Sequence, residues 1–301
     1  MCAGACSLVL DTSAEQCKVD GDCTARGAAF AGMKCVDRVC VGASDAGPDV
    51  DASSDTGADV NTGPWGCLGH VTYPAPTKPQ VAVTVPLIDA ISKNPRTDVL
   101  ARVCTKLDGN CNTPLFPPTT PDANGMLHLT LAAGYDGFVL LTPLLPDGGT
   151  PPDAGDAGPN GQLVIPSLVF FNPPLFQDTT YLTILLLTQD ELTQTAAIAG
   201  ASPPDPSLGN VFMATYDCTG QNAAGVSVAL DSTSSTTQGF YFLGSIPTLT
   251  TSATGYAGFI NVPIGGRTVT GTLQATQQYI GKTTVFSRAS MISYTVVAPS
   301  P

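Results

Sequence analysis

The chain has 301 residues and a net charge of −12, and charged residues make up only 12% of it, roughly half the usual share. Between Lys106 and Arg267 there is no lysine or arginine, which excludes the clustered cations that nucleic acid or an anionic membrane surface requires. The content of glycine (31) and proline (26) favours turns and short strands, so we predict an all-β protein with room for two modest cores.

The first residues indicate export. Ala3-Gly4-Ala5-Cys6 resembles the lipobox of bacterial lipoproteins, in which small residues precede a cysteine that receives diacylglycerol. Ala3 replaces the usual leucine, and no charged or apolar leader precedes the motif. We interpret residues 1–6 as the remnant of a lipoprotein signal with Cys6 lipidated; the alternative is that Cys2 and Cys6 form disulfides. With Ser7 next, the resemblance implies an outer-membrane or cell-surface protein, and without the lipid an extracellular or periplasmic one.

Residues 7–41 are predicted to form a small disulfide-bonded head. Cys17, Cys23, Cys35 and Cys40 follow the pattern C-x5-C-x11-C-x4-C, whereas zinc ribbons and knuckles use C-x2-C pairs. A domain this small needs cross-links because it cannot bury enough apolar surface. Among the three possible connectivities we predict Cys17–Cys35 with Cys23–Cys40, without a metal or another ligand.

Residues 42–64 are predicted to be a disordered acidic linker, rich in Asp, Gly and Ala and poor in residues that could form a core. Its aspartates lack the central glycine and closing glutamate of an EF-hand, which argues against a calcium site. A similar stretch, residues 146–161, predicts an exposed loop.

From residue 65 onward the pattern of strands and turns occurs twice. In each copy an alternating strand is followed by a turn glycine, a second short strand and another glycine turn. The alternating apolar residues are Val81, Val83, Val85 and Leu87 in the first copy and Val226, Val228 and Leu230 in the second. In the first strand Pro86 indicates a sheet edge or a strand end, because proline cannot donate to the ladder.

The order of these motifs resembles the carboxypeptidase regulatory-like (transthyretin-like) β-sandwich family. The first copy matches at Gly69-x-Val71, Val81-x-Val83, Asp122-x-x-Gly125 and Leu131-x-x-Gly134-Tyr135, and the second at Gly209-x-Val211, Ala224-Gly225-Val226-x-Val228, Thr254-Gly255-x-x-Gly258-Phe259 and Val262-Pro263-x-Gly265. The resemblance implies two Greek-key sandwiches in tandem, residues 65–187 and 201–301, in a secreted lipoprotein. It implies no activity, because the motifs consist mainly of turn residues.

One short helix is predicted between the two copies, over residues 188–200. Thr188 and Glu191 have the spacing of a capping box, and Gly200 is a stop signal. The strand-like segments 168–171 and 181–187 are predicted to complete the first sandwich.

Two more disulfides are considered in residues 65–301. Cys104 and Cys111 flank an Asp-Gly turn and can close a strand-to-loop bridge. Cys67 and Cys218 each lie near the opening strand of one copy, so a bridge between the two copies is possible.

The sequence contains no recognisable catalytic set. His70 has no histidine or carboxylate at a ligand-like spacing, and His128 is predicted to be an exposed strand residue. The His-x-x-Glu pair of zinc carboxypeptidases, the Gly-x-Ser-x-Gly elbow, the P-loop and the dinucleotide-binding glycines are missing. We therefore predict a protein without enzymatic activity, cofactor or metal.

Binding is the favoured class of function. Phe170, Phe171 and Phe176 are candidates for an exposed apolar patch that contacts a protein; the alternative is that they cover the end of a sandwich. The expected partner is an envelope protein or an extracellular polymer, with no nucleic acid and with membrane contact only through the lipid. A carbohydrate-binding module is the alternative function, although Trp65, the one tryptophan, lies at the linker junction. A structural stalk or spacer is the second alternative.

Overall fold

The computed structural model describes residues 17–25, 34–36, 39–41, 63–144, 163–243 and 246–301. The lipobox with Cys6, the linker up to residue 62 and the 146–161 insert therefore lie outside the described residues. The chain divides into two units, Met1–Val60 and Asn61–Pro301. Neither helix within the described residues has the length and apolarity needed to cross a bilayer.

The first unit contains a short helix and a two-stranded antiparallel sheet. Helix α1 spans Asp20–Ala25, and strands β1 (Lys34–Val36) and β2 (Val39–Val41) pair with each other. A disulfide joins Cys17 to Cys35, with the two Cα atoms 5.8 Å apart. This cross-link fixes the segment before the helix to the first strand.

The remaining head cysteines are described in part. Cys23 is fully buried and disulfide-bonded. Cys40, its predicted partner, has a side chain that lies outside the described part of the head.

The second unit is built almost entirely from strands, and the two-sandwich, all-β prediction is confirmed. Its strands are β3 (Gln80–Asp89), β4 (Val99–Thr105), β5 (Met126–Ala132), β6 (Gly137–Pro143), β7 (Ser167–Phe170), β8 (Thr179–Thr180), β9 (Ile184–Leu186), β10 (Gly209–Thr215), β11 (Val226–Leu230), β12 (Gln238–Leu243), β13 (Ile246–Pro247), β14 (Tyr256–Val262), β15 (Gly265–Leu273), β16 (Tyr279–Ser287) and β17 (Ile292–Val297).

Eight of these strands form one long sheet, in the order β13-β12-β14-β10-β17-β7-β6-β4. A sheet of β5, β3 and β8, with β9 also paired to β3, packs on one face, and the sheet β11-β15-β16 packs on the other. Alternation along the strands shows this arrangement, since Val139 and Val169 belong to one core cluster while Phe138 and Leu168 belong to the other. The two sandwiches therefore share a sheet but use its opposite faces.

Strand β17 joins the two sandwiches. It pairs in parallel with β7 of the first, where Ile292 lies opposite Ser167, and in parallel with β10 of the second, where Val297 lies opposite Thr215. The backbone ladder consequently continues without interruption from one sandwich into the other, which the sequence did not predict.

Strand β3 has the predicted alternation, with Val81, Val83, Val85 and Leu87 buried. The inference of an edge from Pro86 is wrong, because β3 lies between β5 on one side and β8 and β9 on the other. Proline is accommodated because residues 85 and 86 fall between the pairing with β8, which ends at Thr84, and the pairing with β9, which begins at Leu87.

Helix α2, Gln189–Ile198, has the predicted capping box. The Thr188 side chain accepts a hydrogen bond from the Glu191 N–H, and the Glu191 carboxylate accepts one from the Thr188 N–H at 2.7 Å. Gly200 adopts a positive φ of 68° just after the helix. Leu192 and Ala196 are the buried residues of the helix and hold it against the first core.

Two disulfides cross-link the second unit. One joins Cys104 at the end of β4 to Cys111 in the following loop. The other joins Cys67 to Cys218, which are 151 residues apart in sequence and have Cα atoms 5.7 Å apart. The second cross-link ties the start of the unit to the segment that follows β10.

Candidate binding groove

Within the described part of the chain, the two histidines lie apart from each other and belong to no catalytic or metal site. His128 lies on the exposed face of β5, where its Nε2 is 3.3 Å from the Asp122 Oδ2. His70 is exposed near the start of the unit. Among the residues that the structure describes, no group of three or more His, Cys, Asp or Glu side chains is placed to hold a metal ion.

Of the three phenylalanines predicted to form an exposed patch, two are buried and one is half-buried. Phe170 and Phe171 are only 4% and 8% exposed, so this part of the prediction is wrong. The Phe170 ring packs 5.5 Å from that of Phe138, and the Phe171 ring packs 4.8 Å from that of Tyr181. The physical reason is that β7, which ends at Phe170, is an inner strand of the long sheet with both faces covered, and that Phe171 directly after it packs into the first core. Phe176 is half-buried beside Tyr73.

A groove with a volume of about 450 Å³ is present where the two sandwiches meet. Its floor is the face of the long sheet that the sheet β11-β15-β16 leaves uncovered. Its wall consists of β9, helix α2 and the loop that follows β3. The groove therefore exists only because the two sandwiches share the long sheet.

Four aromatic side chains form the floor, one from each of four neighbouring strands. They are Phe212 on β10, Phe240 on β12, Tyr256 on β14 and Tyr294 on β17. The Phe212 ring meets the rings of Phe240 and Tyr294 edge to face, at centroid distances of 5.2 Å and 5.9 Å. Gly258 lies beneath them, and a Cβ at this position would be 2.3 Å from the Phe240 ring. The absence of a side chain there allows the two phenylalanine rings to meet across β14.

The wall of the groove is mainly aliphatic. Leu182, Leu185 and Leu187 line it from the β9 segment, and Leu185 accepts a hydrogen bond through its carbonyl oxygen from the Tyr294 hydroxyl. At the rim Ile91 is 64% exposed and Ile198 is 47% exposed. Large apolar side chains of the wall thus remain in contact with water at the opening.

Few polar groups face the groove. Burial raises the pKa of Tyr256 and of Tyr294, so both phenols remain protonated at neutral pH. The Tyr294 hydroxyl is used by Leu185, whereas no described residue hydrogen-bonds to the Tyr256 hydroxyl. Lys93 is the only charged side chain among the described residues of the lining, and its Nζ donates to the Ala90 carbonyl oxygen at 2.5 Å.

This arrangement is suited to the binding of an apolar group. The described lining contains no paired carboxylates, histidine or thiol, and its hydroxyls belong to Thr183, Thr195, Thr254 and the two tyrosines. A cavity of about 300–1,000 Å³ with an apolar lining and a few polar groups is typical of ligand sites, which often lie between domains.

Sequence reasoning missed the groove residues, although one signal was present. Phe212 lies in the segment Val211–Ala214, which is apolar on both faces and indicates a strand covered on two sides. Tyr294 lies in an alternating segment, in which Ser293 and Thr295 are polar. The pattern does not show what covers the second face.

Comparisons with known proteins do not assign the chain to a family. No protein-family model matches it, and no curated protein matches it. Among solved structures, the TIE protein of Bacillus anthracis is similar over 74% of this chain and 34% of its own length, with 10% identity and a TM-score of 0.23. The minor pilin GBS52 of Streptococcus agalactiae is similar over 73% of this chain and 98% of its own, with 14% identity and a TM-score of 0.21. The shaft pilin SpaA of Lactobacillus rhamnosus GG is similar over 75% of this chain and 99% of its own, with 12% identity and a TM-score of 0.22. Similarities this weak support no conclusion about fold or function.

Proposed function

We propose that the chain is a non-enzymatic, exported protein of the bacterial cell surface whose second unit binds an apolar group of another envelope component. The observation that carries this proposal is the groove between the sandwiches, with its aromatic floor, aliphatic wall and exposed isoleucines at the rim. Contiguous apolar surface that remains open to water marks interaction sites in soluble domains. An envelope protein or an extracellular polymer that binds there must present an apolar group.

Export and lipid attachment at Cys6 are part of the same proposal. The described disulfides support export, because such bonds form and persist in oxidising compartments. The intact mass of protein purified from its native host tests both points, since acylation of Cys6 and each disulfide change the mass by known amounts. An unmodified, fully reduced chain would contradict this part of the proposal.

The proposal also keeps the domain boundaries drawn from the sequence: a head over residues 7–41, a linker over 42–64, sandwiches over 65–187 and 201–301, and a helix over 188–200. Membership of both sandwiches in the carboxypeptidase regulatory-like family is proposed as well. It is supported by the motif glycines Gly125, Gly134, Gly225 and Gly255, which all have a φ between 69° and 75°. Only glycine adopts this conformation at little cost, as the motif requires.

Carbohydrate binding is less well supported by the groove. Sugar hydroxyls need several hydrogen-bond partners, and few polar groups line the described part of the groove. The aromatic rings also pack edge to face against one another instead of presenting a row of free faces.

A stalk or spacer is also less well supported, because both ends of the second unit lie at the same end of the fold. The Cys218 N–H donates to the Pro64 carbonyl oxygen at 2.8 Å, and the Tyr216 N–H donates to the Val297 carbonyl oxygen at 2.9 Å. An in-line spacer would hold its two ends apart.

Binding of the neutral dye Nile red, followed by fluorescence, tests the groove. We expect the double variant Ile91→Asp, Ile198→Asp to weaken dye binding about tenfold, because apolar contacts at the rim are replaced by carboxylates. The matched control is Ile264→Asp, which changes an isoleucine that is 58% exposed and does not line the groove. Equal dye binding by the double variant and the control would overturn the proposal.

A further inference from the structure

The ligand class of the groove follows from its lining, and the inference rests on the proposed function. A polypeptide strand lying in the groove would bring backbone N–H and C=O groups that need partners. The polar groups of the described lining are too few to satisfy such a backbone. A hydrocarbon chain makes no such demand, and about 450 Å³ is within the size range of small-molecule sites.

The ammonium group of Lys93 provides one positive charge at the rim of the groove. Lys93 follows β3 in a tight turn that is held by the Asp89 carboxylate, which accepts hydrogen bonds from the N–H groups of Ile91 and Ser92 at 3.1 Å and 2.7 Å. The Lys93 N–H donates to the Asp89 carbonyl oxygen at 3.1 Å, so the turn places the lysine on the groove side.

Two carboxylates near this region are held by other partners. Asp89 is paired with Arg96, whose guanidinium lies 3.1 Å from its Oδ2. Glu191 is used by the capping box of helix α2, where its Oε2 accepts from the Thr188 N–H. The lysine is therefore the group best placed to attract the charge of a ligand.

We propose that the groove binds a single-chain amphiphile with an anionic head group. The hydrocarbon chain lies on the rings of Phe212 and Phe240, the anionic head contacts the Lys93 ammonium group, and the Tyr256 hydroxyl donates a hydrogen bond to the ligand.

Displacement of Nile red from the full chain by decanoate and by decanol, at neutral pH and below micelle-forming concentrations, tests this assignment. The two probes have the same chain length and differ in charge. We expect decanoate to bind about fivefold more tightly than decanol, as a partly exposed ion pair allows. Raising the salt concentration should weaken the binding of decanoate and leave that of decanol unchanged.

Two lysine variants test whether the anionic head group binds at Lys93. Lys93→Gln should abolish the preference for decanoate, whereas Lys282→Gln, which changes an exposed lysine on β16, should preserve it. Equal affinities of the two probes in the unmodified chain, or an unchanged preference in Lys93→Gln, would overturn the head-group assignment while groove binding of Nile red still stands. If neither probe displaces the dye, the amphiphile itself is excluded. Binding only to phosphatidylglycerol vesicles would also overturn the assignment, in favour of docking to a membrane.

Discussion

Gly258 shows how a single residue determines the shape of the groove floor. It lies in the middle of β14 and is buried under two rings, with its missing Cβ position 2.3 Å from the Phe240 Cζ and 3.0 Å from the Phe212 Cδ1. At the sequence level this glycine belongs to a turn-and-strand motif and indicates only fold. In the structure it also permits the contact of the two phenylalanine rings on which a ligand would lie.

Replacing Gly258 with alanine should therefore disturb both stability and binding. Because the added methyl group has no room, the rings must move, and we expect the free energy of unfolding to fall by about 1–3 kcal/mol. Chemical denaturation measures this loss, and weaker Nile red binding should accompany it. Gly266→Ala is the control, since its Cβ would be 4.0 Å from the nearest ring atom, on Phe286. Equal stability of the two variants would contradict this account.

At the scale of elements, the segments predicted correctly are those whose structure depends on nearby residues. Strand β3 follows from the alternation of four apolar residues, and helix α2 follows from Thr188 and Glu191, which meet across one turn. These patterns are complete within about ten residues of sequence and need no information about distant partners.

Strands β7 and β17 illustrate why the rest could not be predicted. The alternation of Ile292, Tyr294 and Val296 with the polar residues Ser293 and Thr295 predicts only a half-buried strand, and the pairing of β17 with β7, more than 120 residues earlier, leaves no local trace. The same pairing makes β7 an inner strand, which is why Phe170 at its end is buried instead of exposed. The groove depends on this long-range contact, so its residues could be predicted to be apolar but not to lie together.

At the scale of the whole molecule, the Cys67–Cys218 disulfide encloses the first sandwich in a covalent loop and leaves most of the second sandwich outside it. All strands of the first sandwich, and β10 of the second, lie between Cys67 and Cys218 in the sequence. Strands β11 to β17 lie after Cys218. The wall of the groove therefore belongs to the segment enclosed by this disulfide, and most of its floor belongs to the segment outside it.

Mechanical pulling should reveal this division. With handles at residues 63 and 301, tension in the oxidised chain passes from Cys67 directly to Cys218, which is 151 positions later in the sequence, and bypasses the residues between them. At about 3.4 Å per residue, full extension should release about 280 Å of contour length from the residues after Cys218. In the double variant Cys67→Ser, Cys218→Ser it should release about 510 Å more. Optical tweezers measure both lengths, and equal extensions for the two chains would contradict the load path.

The unequal sharing of load has a consequence for anything held in the groove. Under tension β12, β14 and β17, which carry Phe240, Tyr256 and Tyr294, can be drawn out, while β9 with Leu185 stays shielded inside the covalent loop. The two sides of the groove would then part before the first sandwich unfolds. We expect a ligand bound as proposed to be released by a pull on the chain, because the Cys67–Cys218 bridge exposes only one side of the groove to the force.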